Sequence, residues 1–318
     1  KNYFRVKVDF LVVCSIYTFQ FGFEIQCNIE GINIRGRNFK MNKKEEITRE
    51  NIKNNFLRYI ILRFDYSGAT DSEIDGIISE IKVNFSDAGY MRFYEENSTR
   101  LDFKLEDPER VETDGLAPSG ISKSKTYVFS HDELGIKCKL SNKFIFMEIQ
   151  NQKYISFDEY SRLFFEVSKI INEKINMLRF TRFGMRKINQ LIIKDFSKIN
   201  EYIESKICDI LLYPKDKELK TFELKDCYLK DDYNINLRKM FIRGQYDDSP
   251  AYQINLDADI YMTAEESIRE VMNNPSRAKS MNEHLFILYK ESITEKFLER
   301  LSEDGFNDDN LIGVEKNA

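Results

Sequence analysis

The residues of this chain whose types and spacing could do chemistry are concentrated in RFTRFGMRKIN, residues 179–189. Arg182, Gly184 and Arg186 alternate there, so in an extended strand all three project from one face. A glycine between two guanidiniums lets a phosphate or a carboxylate come close to the backbone while both forks donate to it. Arg179 and Lys187 extend the positive charge. The candidate binding set, for nucleic acid or for a protein partner, is therefore Arg179, Arg182, Gly184, Arg186 and Lys187. A plainer use of the same arginines is pairing with internal acids, for instance Asp257 or Asp259 of a neighbouring strand, which pins strand register; the weight falls on this use. Asn189 is expected as a buried amide that ties down adjacent backbone.

Other constellations are weaker. Asp216 followed by Glu223-Leu224-Lys225 follows the D…E-x-K order of metal-dependent nucleases, in which carboxylates hold Mg²⁺ and a lysine steadies hydroxide. The alternation of Phe222 and Leu224 with Glu223 and Lys225 already explains the charged pair as the wet face of a strand. Asp257 and Asp259 read the same way. His131 is expected in a hairpin turn beside Asp132, and His284 in the first turn of a helix; neither neighbours a nucleophile motif. No glycine-rich phosphate loop, H-E-x-x-H or G-x-S-x-G is present. No catalytic residue, metal ligand or cofactor is assigned, and the chain reads as a binding protein more than an enzyme.

Composition narrows the classes. The 318 residues carry a net charge of −5, which argues against a generic nucleic-acid coat. A hydrophobic fraction of 42% with 32% charged residues is that of a folded globular chain. The 25 Phe and 17 Tyr against 5 Pro favour sheets with aromatic faces. Five dispersed cysteines form no zinc or disulfide pattern and suit reduced cytoplasmic thiols. The apolar run FLVVCSIYTFQFGF, residues 10–23, is shorter than the ~20 residues of a spanning helix and reads as a strand, so no membrane is expected.

The elements that must position these residues follow from periodicity. Residues 1–56 read as a β-rich N-terminal extension with a polar linker. In residues 57–178, a strand at 57–64 precedes a helix at 71–85, with Ile74, Ile77, Ile78 and Ile81 on one face. Residues 107–124 hold Pro108, Pro118 and no period, and are expected as a loop. Strands at 125–130, 135–140 and 143–149 follow, with a tight turn at Ser141-Asn142. A helix over 157–175 is capped by Ser156 and Glu159. In residues 179–318 the order repeats: the strand Arg179–Ile193, a helix at 196–208, strands at 219–229, 233–242 and 252–260, and a long helix at 281–301 capped by Ser280 and Glu283. The fold class is α+β: two ferredoxin-like-sized units, each strand, helix, antiparallel strands and helix, behind the N-terminal extension.

The segments YVFSHDELGIKCKLSNKFIFMEIQNQKYISFDEYSRLFFEV, RFTRFGMRKIN and SITEKFLERL together resemble a sporadically distributed family of uncharacterised bacterial and archaeal proteins. Its members carry a Y-x-S/T-F-x-E-F helix start and an R-[FIL]-x-R-[IL]-G-[LM]-R-Y-I-N strand. Tyr154, Ser156, Phe157, Arg182, Gly184, Met185, Arg186, Ile188 and Asn189 occupy those places, and Lys187 replaces the usual Tyr. The resemblance covers roughly residues 57–302. It implies a cytoplasmic α+β protein with no activity or cofactor to carry over. The family's patchy distribution resembles that of phage-defence and toxin–antitoxin genes. The expectation is a non-enzymatic accessory protein with a partner encoded nearby. Two alternatives are nucleic-acid binding, RNA or DNA, by the basic strand on an aromatic sheet, and a metal-dependent nuclease.

Overall fold

The computed structural model describes residues 43–105, 116–150, 156–206 and 220–316, all within one compact unit, Asn42–Ala318. The strands expected in residues 1–40 lie outside the described residues. In chain order the elements are α1 (Lys43–Glu46), a 3₁₀ turn (Arg49–Asn51), β1 (Asn54–Asn55), β2 (Leu57–Ser67), α2 (Asp71–Asp87), β3 (Arg92–Leu105), β4 (Leu116–His131), β5 (Ile136–Leu140), β6 (Phe144–Gln150) and α3 (Phe157–Lys174). After them come β7 (Arg179–Ile193), α4 (Ile199–Tyr202), β8 (Thr221–Lys230), β9 (Tyr233–Tyr246), β10 (Ser249–Met262), α5 (Glu265–Asn273), α6 (Ser276–Ser292), α7 (Glu295–Leu301), β11 (Leu311–Ile312) and β12 (Glu315–Lys316).

One antiparallel sheet runs in the order β3-β4-β5-β6-β2-β7-β10-β9-β8, with β11 on the end of β7. The first strands of the two expected units, β2 and β7, pair directly from Ser67↔Arg179 to Leu57↔Asn189. The units therefore share a sheet and a core, because the apolar side chains of β2, β7, β9 and β10 all turn to the same side. Ile60, Leu62 and Phe64 of β2, Phe183 and Met185 of β7, and Ile260 of β10 belong to one cluster, into which α2, α3, α5 and α6 bury their stripes. A second cluster at the other end of the strands joins Phe56, Leu191, Leu256, Phe297 and Leu301.

Several sequence expectations are met in detail. Ile74, Ile77, Ile78 and Ile81 are buried on α2, and Ser156 caps α3 by accepting from the Glu159 amide. The boundary drawn at residue 56 falls inside the compact unit. Asn54 and Asn55 pair with Lys316 and Glu315, Lys53 N–H bonds the Leu301 carbonyl, and Phe56 is buried against Phe297. The loop expected at 107–124 ends sooner, since β4 begins at Leu116 and pairs with β3 as a long hairpin arm. Pro118 pairs with Phe103 beside the register shift that puts Asp102 opposite Gly120, the kind of irregularity at which strands tolerate proline. The helix expected at 281–301 is two helices, α6 and α7, broken at Ile293. Thr294 caps the second by accepting from the Phe297 amide, whereas Ser280 lies inside α6 and its hydroxyl bonds the Ser276 carbonyl. Within residues 196–206 the expected helix is a 3₁₀ turn and the short α4, a break at Ile203 and Glu204, and a helical start at Ser205 and Lys206.

Candidate functional site

In β7 the odd-numbered side chains from 183 to 193 are buried and the even ones from 182 to 192, apart from Gly184, stay partly exposed. The even side chains, with Arg63 and Asp65 of β2 and Asp257, Asp259 and Tyr261 of β10, form the face of the sheet turned away from the helices. Arg182 and Arg186 do meet there, and their partners are the acids of β10. Arg186 donates from Nε and Nη2 to the two oxygens of Asp257 at 2.7 and 2.5 Å. Arg182 Nη2 donates to both oxygens of Asp259 at 3.0 and 2.9 Å, and its Nη1 lies 3.7 Å from Asp65. The bidentate Arg186–Asp257 fork fixes geometry as well as charge.

Gly184 has a local purpose in this arrangement. A Cβ at that position would lie 2.8 Å from the Arg182 guanidinium, which folds back over the glycine and sits 4.6 Å above the Tyr261 ring. The glycine makes room for an arginine, not for an incoming anion. The electrostatics agree. Bonding to Asp257 raises the Arg186 pKa above its ordinary value, while burial pushes Asp259 up despite the neighbouring Arg182 and Arg186. Asp257 is buried, and both of its carboxylate oxygens accept from Arg186.

The other members of the candidate set do not join them. Arg179 pairs with Glu265 at 3.3 Å on an exposed rim. Lys187 lies on the helix-covered side, only 7% exposed, because its odd position sends it there. It lines a partly open, largely apolar cavity with Leu237, Leu256, Leu285 and Tyr289, and burial lowers its pKa well below the ordinary lysine value. Asn189 is buried and its amide donates to the Leu256 carbonyl at 3.4 Å, as expected.

Of the nuclease constellation, Glu223 and Lys225 are among the described residues. Glu223 forms an ion pair with Arg238 at 2.7 Å, Lys225 is exposed, and Asp216 lies outside the described residues. Among the described residues no group of three or more His, Cys, Asp or Glu is placed to hold a metal ion. His131 ends β4, with its Nδ1 accepting from the Leu134 amide, and His284 sits 3.5 Å from Lys230 on α6, not at a helix start. Among the described residues, Cys138 is buried in the core and Cys227 is exposed on β8.

The sequence reading missed an aromatic depression on the same helix-free face, towards the β3 edge. Tyr94, Phe144, Phe146 and Arg63 line it, flanked by Lys137, Lys139, Glu96 and Glu148. The Arg63 guanidinium stacks 4.6 Å over Phe144, and Lys139 pairs with Glu96 at 2.8 Å. Tyr94 is 42% exposed. The residues alone do not reveal it, because β3 lacks a clear alternation and does not read as a strand. Phe144 and Phe146 alternate with Ile145 and Met147, and only the strand's placement shows which pair faces the core.

No family model matches the chain, and no curated protein does. Among solved structures, the Pct1 RNA triphosphatase of S. pombe in complex with the Spt5 CTD aligns over 78% of this chain and 91% of its own, at 9% identity and a TM-score of 0.16. A likeness of that size carries no argument about fold or function. Among the described residues no helix is long and apolar enough to cross a membrane.

Proposed function

We propose that this chain is a non-enzymatic binding protein whose helix-free sheet face docks a protein partner with an apolar centre and a rim of both charges. The observation that carries the reading is how charge and aromatic surface are distributed over that face. Each arginine at its centre is matched to a carboxylate: Arg182 to Asp259, Arg186 to Asp257, Arg238 to Glu223. A polyanion binds by exchanging counterions for free cations, and neutralised arginines supply little of that. A protein surface asks for something different: aromatic and arginine anchors within a mixed-charge rim. Tyr94, Phe144, Phe146 and Arg63 have that composition, and Lys137, Lys139, Glu96 and Glu148 supply the rim.

On this reading the two α+β halves, each of ferredoxin-like size, build one platform wide enough for a protein interface. The resemblance noted from the sequence supports placing such an accessory subunit in the cytoplasm, in a prokaryotic defence or toxin–antitoxin operon. The test is affinity purification of the tagged chain from its host with and without nuclease, repeated with Tyr94→Ala/Phe146→Ala. The expected result is a stoichiometric protein that survives nuclease and is reduced at least tenfold by the double substitution. Co-purifying nucleic acid whose removal releases everything would overturn the proposal. So would capture that the substitution leaves unchanged, or light scattering showing that the face is occupied by a second copy of this chain.

A further inference from the structure

The cavity around Lys187 lies on the opposite side of the sheet from the proposed docking face and has a separate chemistry. It sits between β7, β9 and β10 below and α6 above, where the two hydrophobic clusters meet, and residues 49–57 close one side. Its volume is about 90 Å³, room for roughly six water-sized positions. Leu237, Leu256, Leu285 and Leu288 make the walls apolar. Against them stand polar groups whose bonding is incomplete. Lys187 lines the space with only 7% of its surface exposed. Both the Tyr289 hydroxyl and the Arg49 Nε are buried without a partner.

The balance of charge gives the sign of what would complete the site. Arg49 uses Nη1 and Nη2 on Asn282, at 3.2 and 2.6 Å, and Nη2 lies 3.4 Å from Glu283, which is itself exposed. Arg49 and Lys187 therefore line one small apolar space, and the Glu283 carboxylate, which acts on both, stands outside its lining. Buried donors without acceptors are costly and rarely left so. A neutral polar ligand would satisfy the tyrosine but not two cations. A phosphate or sulfate would need more donors than an apolar space of this size presents.

We infer that this cavity is a binding site for a small aliphatic monocarboxylate, its carboxylate between Lys187 and Arg49 and its short hydrocarbon chain against the leucines. The Tyr289 hydroxyl supplies a third donor. Burial depresses the Lys187 pKa, with Arg49 adding to the effect, so a bound anion also restores the lysine's charge.

The experiment is isothermal titration of the full chain with sodium acetate, butyrate, isobutyrate and hexanoate, against sodium chloride of equal ionic strength. Saturable binding is expected, strongest for the four-carbon acids and weaker for acetate and hexanoate. Lys187→Met keeps the volume while removing the amine, and should weaken binding at least tenfold. Ala258→Leu fills the cavity from β10 without touching Lys187 and should remove binding too, so a poorly folded Lys187→Met would not leave the site unjudged. Absence of saturable heat with all four acids overturns the inference, as does unchanged affinity in Lys187→Met or in a folded Ala258→Leu.

Discussion

Lys187 shows how one position along a strand changes a residue's role. Its neighbour Arg186 stands on the helix-free face and bonds Asp257, while Lys187 is buried on the side that α6 covers. A lysine whose folded pKa is lowered binds its proton more weakly in the native state than in the unfolded one. Its effect on stability is therefore neutral above the ordinary value of 10.5 and becomes a growing penalty as pH falls below it. Lys187→Met should thus unfold at higher urea than the parent at pH 7, by about 1–3 kcal/mol, the cost of an uncompensated buried polar group. That advantage should shrink as the pH is raised to 10, measured by paired urea titrations. A constant or widening gap would show that the lysine is charged and well compensated in the native state. Arg186 behaves in the opposite way: removing it would strand the buried Asp257, so its pairing is a requirement of the fold whatever else the face does.

At the scale of elements, the approach of two connections fixes how the halves meet. Gly68 follows β2 at φ +88°, and a Cβ there would overlap the carbonyl oxygen of Met177 in the turn between α3 and β7. Glycine is required twice over, by its left-handed backbone and by the space. Gly68→Ala should cost at least about 2 kcal/mol, since strain and overlap add. Chemical denaturation measures it; a loss under 0.5 kcal/mol, a limit of about the size of an ordinary surface change, would mean that the turns separate easily. The same scale explains the break between α6 and α7. Thr294 accepts from the Phe297 amide, and its hydroxyl donates to the Glu201 carbonyl at 2.7 Å. A new helix starts there because a capping side chain also ties it to α4.

Across the whole molecule, β2 against β7 is the seam that makes two α+β halves one body. Phe64 lies at its centre, fully buried, with ring centroids 4.6 Å from Phe183, 5.1 Å from Phe180 and 5.4 Å from Phe164. Its partners come from β7 and α3, so the cluster belongs to neither half alone. Phe64→Ala should destabilise by about 3–5 kcal/mol and lower a single cooperative transition shared by the described unit. Calorimetry reads both: two separated transitions would show that the halves unfold independently. Across the seam itself Arg182 Nη1 lies 3.7 Å from Asp65 of β2, an ion pair at a joint that carries two register shifts.

Local periodicity and turn chemistry were enough to place much of this protein. The isoleucine stripe of α2, the Ser156 cap of α3, the turn at Ser141-Asn142 and the extent of β7 are legible in the residues themselves, because each depends on neighbours within a few positions. The pairing of Arg182 and Arg186 with Asp259 and Asp257 was also foreseeable from charge and alternation. The remainder depends on residues far apart in the chain. β3 and the first part of β4 are strands because they pair with each other, not because their side chains alternate. The depression at Tyr94 and Phe146 exists only once β3, β5 and β6 lie near one another on one face. The cavity at Lys187 needs Arg49, Lys187 and Tyr289, separated by more than a hundred residues at each step, to be packed around a common space. Sequence sets which way a side chain points from its strand; only the tertiary fold decides whether it meets water, a partner charge or an enclosed space.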